Sequence, residues 1–243
     1  VSPSRGVPPG YVALSDGGTE GALLATLEKP LRAAIAGGSF YGYASHHPQA
    51  RSFAGRGVAY AVPLPDGDVS VVVRRSRHGG LLAPLTGDRF LGATRAPTEL
   101  ETSLTLARRG VATPEVIAYA TYPVSGIFRR ADVVTREVPH AKDLLAVLAG
   151  EDQAAKDAWP AAVSTLLQAL LSAGARHPDL NVKNILLTKD ANAKWEAIVI
   201  DVDRVWFDEP ESLDVYDANL RRLARSGAKN GFEIAPALRR APT

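Results

Sequence analysis

The hydrophobic period of this chain shifts from mainly strand-like to mainly helical near Pro139, and that shift limits the folds open to it. Upstream lie short β-branched or aromatic runs split by turn chemistry. They are Ser52 to Pro63 with GRGVAYAV, the turn Pro65-Asp66-Gly67-Asp68, Val69 to Arg74, and then Val116 to Ala120 and Ile127 to Val138 across Ser125-Gly126. Downstream the apolar residues recur at helical spacing. Val163, Leu166, Leu167, Leu170 and Leu171 stripe a helix from Pro160 to Ala173, and Leu213, Tyr216, Leu220 and Leu223 stripe another from about Glu211 to Arg225. Strands gathered in one half and helices in the other read as an α+β chain.

Finer features divide it further. Val1 to Gly18 is rich in Pro, Gly and Ser and reads as a solvated arm. Leucines 23, 24, 27 and 31 with Ile35 predict a packing helix over Thr19 to Ala36, bent or divided at Pro30. Pro97 to Arg109, with leucines 100, 104 and 106 and Gly110 as its stop, is a helix inserted among the strands. After Pro139 come a short helix over Lys142 to Leu148 and two short strands, Asn184 to Leu187 and Ala197 to Ile200. The expected organisation is an arm and packing helix over 1–50, a sheet-bearing lobe over 51–138, and a small, mainly helical lobe over 139–243.

With 243 residues, 46% of them hydrophobic, the chain can bury a real core. The 28 Lys and Arg against 26 Asp and Glu leave a formal charge of +2, so an anionic partner has to be met by local clusters, and no nucleic-acid partner is expected. The absence of cysteine removes thiolate metal sites and a cysteine nucleophile. No apolar run reaches the ~18 residues of a membrane-spanning helix, so the expected location is cytoplasmic or peripheral on a membrane face.

Chemistry concentrates in His177-Pro178-Asp179-Leu180-Asn181-Val182-Lys183-Asn184-Ile185-Leu186-Leu187, a polar cluster between a helix and an apolar strand. Seventeen residues past Asn184, the strand Ile198-Val199-Ile200 ends in Asp201-Val202-Asp203. Asn and Asp oxygens are hard donors suited to magnesium, which takes one or two protein ligands beside phosphate oxygens. The order is a Gly-rich turn, a strand with a cation, a helix with a Glu, H-x-D-x-x-x-x-N, and a strand ending in Asp. It matches the parts of kinase-type phosphoryl transfer with ATP and Mg2+.

HPDLNVKNILL with VIDVDR, preceded by VVVRRSRHGG and TELETSLTLARRGVATPEVIA, resembles the lipopolysaccharide kinases, those acting on 3-deoxy-manno-octulosonic acid (Kdo) in particular. The likeness runs from about Phe53 to Arg204. It implies a bilobal protein-kinase-like fold, with an antiparallel sheet and one helix in the N-lobe and a small helical C-lobe. It also implies phosphorylation of a Kdo hydroxyl on a lipid A precursor, with the lipid-linked sugar as partner and an anionic membrane surface nearby.

By the same resemblance Asp179 is the catalytic-loop aspartate. Asn184 and Asp201 are the metal ligands, Gly55 and Gly57 the nucleotide loop, Arg74 the third-strand cation and Glu99 its helix partner. Arg75, Arg77, Asp203 and Arg204 are candidates for contact with the anionic acceptor, as are arginines near the C-terminus. Arg74 replaces the usual lysine, Asn181 stands where protein kinases carry a catalytic-loop lysine, and DVD replaces DFG. With 42 residues after Asp201, a glycolipid or small acceptor is favoured over a protein.

Two other readings stay open: a small-molecule phosphotransferase of the aminoglycoside-kinase type, and a nucleotide-binding pseudokinase serving as an interaction module. His177 is open between a structural hydrogen-bonding role and substrate contact. The C-terminal run with Arg221, Arg222 and Arg225 is open between a solvated helix face and a surface resting on an anionic bilayer.

Overall fold

The structure is a computed structural model and describes residues 6–54, 57–76, 90–91, 94–125 and 128–239. The chain divides into two compact units, Val1–Glu101 with Glu115–Glu137, and Thr102–Pro114 with Val138–Thr243. Among the described residues, no helix is long and apolar enough to cross a membrane.

The first unit is built on an antiparallel sheet. Its strands are β1 (Tyr11–Asp16), β2 (Thr19–Leu24), β3 (Arg51–Ala54), β4 (Val58–Pro63), β5 (Ser70–Arg75), β6 (Phe90–Leu91), β7 (Val116–Ser125) and β8 (Phe128–Arg136). They lie in the order β1-β2-β7-β8-β5-β4-β3, with β6 also on β8. The expected arm and the start of the expected helix are therefore a hairpin, with Tyr11 opposite Leu24 and Asp16 opposite Thr19. Strand β2 pairs with β7 here, and only glycine at position 21 allows that close approach, since a Cβ would come within 2.1 Å of the Tyr119 carbonyl oxygen. The helical period resumes only at α1 (Glu28–Ile35), followed by α2 (Phe40–His46).

Leu31 and Ala34 of α1 and Phe40 and Ala44 of α2 share one core with Leu23, Val71, Val73, Ile117 and Val134 of the sheet. The start of α2 is tied down donor by donor. Tyr122 Oη accepts from the Phe40 amide at 2.9 Å, Asp132 Oδ2 from the Tyr41 amide at 2.9 Å, and the Ser39 hydroxyl from the Gly42 amide at 2.9 Å. Three amides that an isolated helix leaves without intrahelical partners are thereby satisfied. The inserted helix, α3 (Ala96–Arg108), places Ala96, Glu99 and Leu100 among the buried residues of the chain.

In the second unit β11 (Ile185–Lys189) and β12 (Trp195–Val199) form a hairpin, and β9 (Lys142–Asp143) pairs with β11. A second pair joins β10 (Ala175–Arg176) to β13 (Trp206–Phe207). Around them stand α4 (Leu144–Ala149), α5 (Gln153–Ser172), α6 (Leu213–Lys229) and α7 (Ala235–Arg239).

Asp143 caps α4 by accepting from the Ala146 amide at 2.7 Å, and Asp152 caps α5 from the Ala155 amide at 3.1 Å. A side-chain N-cap is worth about 1 kcal/mol. Helix α5 thus starts two turns before Pro160, which lies inside it. Gly174 ends the segment at φ +64, where a Cβ would fall 2.3 Å from the Asp208 carbonyl oxygen. Only glycine turns the chain there into β10 and the polar loop that follows.

Candidate active site

The loop after β10 owes its shape to alternation. Leu180, Val182 and Ile185 are fully buried in the core of the second unit, while Asp179, Asn181 and Lys183 between them reach the surface side. Three apolar anchors hold the backbone and turn the polar side chains one way.

His177 stands behind this loop, 1% exposed. Its Nδ1 accepts from the Asp179 amide at 3.2 Å, which puts the ring proton on Nε2, and Nε2 donates to the Ile200 carbonyl at 3.1 Å. One imidazole therefore spans the loop and the end of β12. Burial pushes its pKa below the ordinary value of 6.5, against the neighbouring charges of Asp201, Asp179 and Asp203, and keeps the ring neutral at pH 7. Of the two roles open to His177, these contacts are those of the structural one.

The loop is tightened from inside. Both Asn181 Nδ2 (2.9 Å) and Asn184 Nδ2 (3.0 Å) donate to the backbone carbonyl of Asp179, and Asn181 Oδ1 accepts from the Lys183 amide at 2.9 Å. Asn181 thus closes a turn in the place where a catalytic-loop lysine was missed. The Ile200 amide donates to the Asn184 carbonyl at 3.0 Å, extending the β11–β12 pairing by one step. Asn184 and the residue before Asp201 are therefore cross-strand partners.

Asp201 itself is exposed and left-handed at φ +62, a conformation Asp tolerates better than most residues. It redirects the chain into the single helical turn Val202–Arg204. With Nδ2 of Asn184 committed to the loop, its Oδ1 and the Asp201 carboxylate offer hard oxygens at one end of the hairpin. That donor set fits magnesium.

Asp179, 28% exposed at its side chain, is held from both sides: Arg204 Nη1 donates to Oδ2 at 2.9 Å, and Arg222 Nη2 to Oδ1 at 3.1 Å. Arg222 Nε also donates to the Pro178 carbonyl. Arg222 belongs to a polar stripe of α6. Asn219 on the same stripe accepts from the His177 amide at 3.0 Å and donates to the Ala175 carbonyl at 2.9 Å, and the Ser226 hydroxyl accepts from the Val182 amide at 3.2 Å. Residues 219, 222 and 226 follow helical spacing, so one face of α6 is hydrogen-bonded along the whole loop. The sequence signal was present: a polar Asn-Arg-Ser stripe at positions 219, 222 and 226 beside Leu220 and Leu223.

In the first unit, strand alternation sends consecutive arginines to opposite faces. Val71 and Val73 are buried on one face of β5, and Arg74 points to the other, where it forms an ion pair with the buried Glu99 of α3. Arg75 falls on the valine face. There its guanidinium lies 4.2 Å over the Tyr41 ring and its Nε is 3.5 Å from Asp132, which faces it in register on β8. Burial pushes the Asp132 carboxyl up, while the Tyr41 amide and the Arg75 charge pull it down. Arg75, expected at the acceptor, here contacts Tyr41 of α2 and Asp132 of β8.

Gly57 lies at a bend directly before β4. Gly55 and Arg77 lie outside the described residues. Asp203 sits in the turn after Asp201, half-buried.

The lipopolysaccharide kinase (Kdo/WaaP) family model matches residues 47–237. The chain is 32% identical to the 3-deoxy-D-manno-octulosonic acid kinase of Vibrio parahaemolyticus over 182 residues, covering 73% of this chain and 72% of the relative. It is also 32% identical to the enzyme of the same name from Haemophilus influenzae, covering 72% of this chain and 73% of the relative. A solved structure of WaaP in complex with acyl carrier protein superposes with a TM-score of 0.52 at 18% identity, covering 88% of each chain, and shares the fold. The α+β, protein-kinase-like chain belongs to the lipopolysaccharide kinase (Kdo/WaaP) family.

Proposed function

We propose that this family member transfers the terminal phosphoryl group of ATP to a hydroxyl of Kdo on a lipid A precursor. Family membership makes it a phosphotransferase of lipopolysaccharide core assembly. The observation that supports the finer reading is the joining of Asp179, Asn184 and Ile200, the residue before Asp201, by hydrogen bonds through the loop and His177.

In this reading Asp179 accepts a hydrogen bond from the sugar hydroxyl and sets its oxygen in line with the γ-phosphorus. The new O–P bond forms as the bridging O–P bond to the β-phosphate breaks and ADP leaves. The hydroxyl proton passes to Asp179 late and then to solvent. Held by Asn184 and Asp201, magnesium would supply charge neutralisation on the phosphates. Within the first unit, Arg74, ion-paired with Glu99, is read as a planar cation for nucleotide phosphate, and Gly57 as leaving room for backbone amides beside phosphate oxygens. Most of the acceleration comes from positioning and charge rather than from proton transfer.

The same reading puts the protein against an anionic membrane on the cytoplasmic side, where ATP and the lipid precursor meet. The exposed Arg221, Arg225 and Lys229 of α6 support this.

The test is a panel: purified protein with ATP and magnesium, offered Kdo-linked lipid A precursor, neutral sugars, an aminoglycoside and a generic protein. Phosphate should enter the Kdo-lipid alone. Transfer to the aminoglycoside, or ATP binding with no transfer to any acceptor, would replace this reading with one of its rivals.

A further inference from the structure

Two arginines converge on one aspartate at the reacting end of the second unit, and one alone would balance its charge. Arg204 and Arg222 each donate to a different oxygen of Asp179, at 2.9 and 3.1 Å. Their side chains are 50% and 43% exposed, so both guanidinium groups are anchored at one edge and open to solvent at another. Arg222 is oriented further by the donation of its Nε to the Pro178 carbonyl. Among the described residues, Arg222 Nη1 and Arg204 Nε and Nη2 meet no protein acceptor. A carboxylate has about four lone-pair sites, so Asp179 can keep both arginines and still accept a hydroxyl.

We propose that Arg222, with Arg204, forms a carboxylate-recognition site for the acceptor, one that selects a sugar acid over a neutral sugar. The claim rests on the kinase reading above and names which feature of the acceptor is read. A planar fork matches a carboxylate bidentately, and a fork already oriented by Pro178 and Asp179 loses less freedom on binding. The free N–H edges lie within one sugar ring's width of the oxygen that meets the reacting hydroxyl. An acid group on the ring that carries that hydroxyl is therefore in reach, whereas a neutral ring would leave the surplus cation unmatched. Asp203 and Asp201 are the nearby acids; Asp201 is committed to the metal in the reading above, and Asp203 has interactions of its own.

The experiment is a two-by-two comparison. Wild type and Arg222→Gln are assayed with Kdo-linked lipid A precursor and with the same acceptor whose Kdo carboxylate is a methyl ester, with ATP varied separately. Wild type should show an acceptor KM about 10- to 100-fold lower for the acid than for the ester, the range of a charge-assisted hydrogen bond. Arg222→Gln should lose that preference, and Arg222→Lys should recover only part of it because it restores charge without the fork.

Equal losses on acid and ester would mean that Arg222 only holds the loop, and a loss confined to the ATP constant would mean that it reads nucleotide phosphate; either overturns the proposal. If wild type transfers no phosphate to the lipid at all, the kinase reading fails by itself. The site is then judged by calorimetric binding of free Kdo against its methyl ester. Preference for the acid that disappears in Arg222→Gln upholds the site, and its persistence overturns it.

Discussion

Asp179 holds an arginine on each carboxylate oxygen, yet its role depends on the hydroxyl it can still accept. Asp179→Asn keeps the size, removes the proton acceptor and sets an N–H group against one of the two arginines, so transfer should fall by about 10²- to 10⁴-fold while ATP still binds. Single-turnover assays beside equilibrium binding check this, and wild-type transfer by the variant would remove Asp179 from the catalytic role. His177 carries a different prediction, in stability. Its pKa in the fold lies below 6.5 because the ring is buried, so below pH 6.5 the unfolded chain takes up the proton first. Native stability is then full above about pH 6.5 and falls as pH drops toward the folded pKa, by up to about 1.4 kcal/mol per pH unit for this one proton. Urea midpoints measured from pH 7.5 to 5 should decline more steeply in wild type than in His177→Gln; parallel profiles would mean that the imidazole is not kept neutral by the fold.

At the scale of elements, α6 and β5 each decide, within their own unit, which polar side chains are held in place. Asn219 satisfies the Ala175 carbonyl and the His177 amide from within α6. Asn219→Leu should cost about 2–6 kcal/mol, since each of the two buried groups left unpaired costs about 1–3. It should also depress turnover more than ATP binding, and chemical denaturation with paired kinetics reads both effects. On β5, Arg75→Gln should lower stability by about 1–3 kcal/mol and leave the acceptor constant where it was, because Arg75 serves Asp132 and Tyr41. A raised acceptor constant with unchanged stability would return Arg75 to the acceptor.

The loop from His177 to Asn184 was legible in the residues because its buried and polar positions alternate over a short stretch. Arg222 was visible only as one of several C-terminal arginines, since its contact with Asp179 spans 43 residues and is made by the packing of α6. The split between Arg74 and Arg75 follows from strand alternation once the buried face is known, and the sequence alone does not say which face α2 covers. The β1–β2 hairpin was masked by leucines 23, 24, 27 and 31, which mimic a continuous helical stripe across a strand and a helix.

For the molecule as a whole, the near-balance of charge at +2 means that any affinity for the proposed anionic acceptor has to come from placed arginines rather than a general field. It also means that salt should weaken acceptor binding at the exposed arginines more than it weakens folding. Two separate cores, one behind the sheet and one around α5 and α6, let each unit hold its own polar groups in place. The central claim is that the phosphate goes to a hydroxyl of the acidic sugar. The most direct measurement is phosphorus–proton correlation NMR on the purified product of ATP, magnesium and Kdo-linked lipid A precursor. The expected spectrum shows one new phosphomonoester coupled to a Kdo ring proton, absent when Asp179→Asn replaces wild type. A new phosphate on the lipid A glucosamines, or inorganic phosphate with an unmodified lipid, would contradict it.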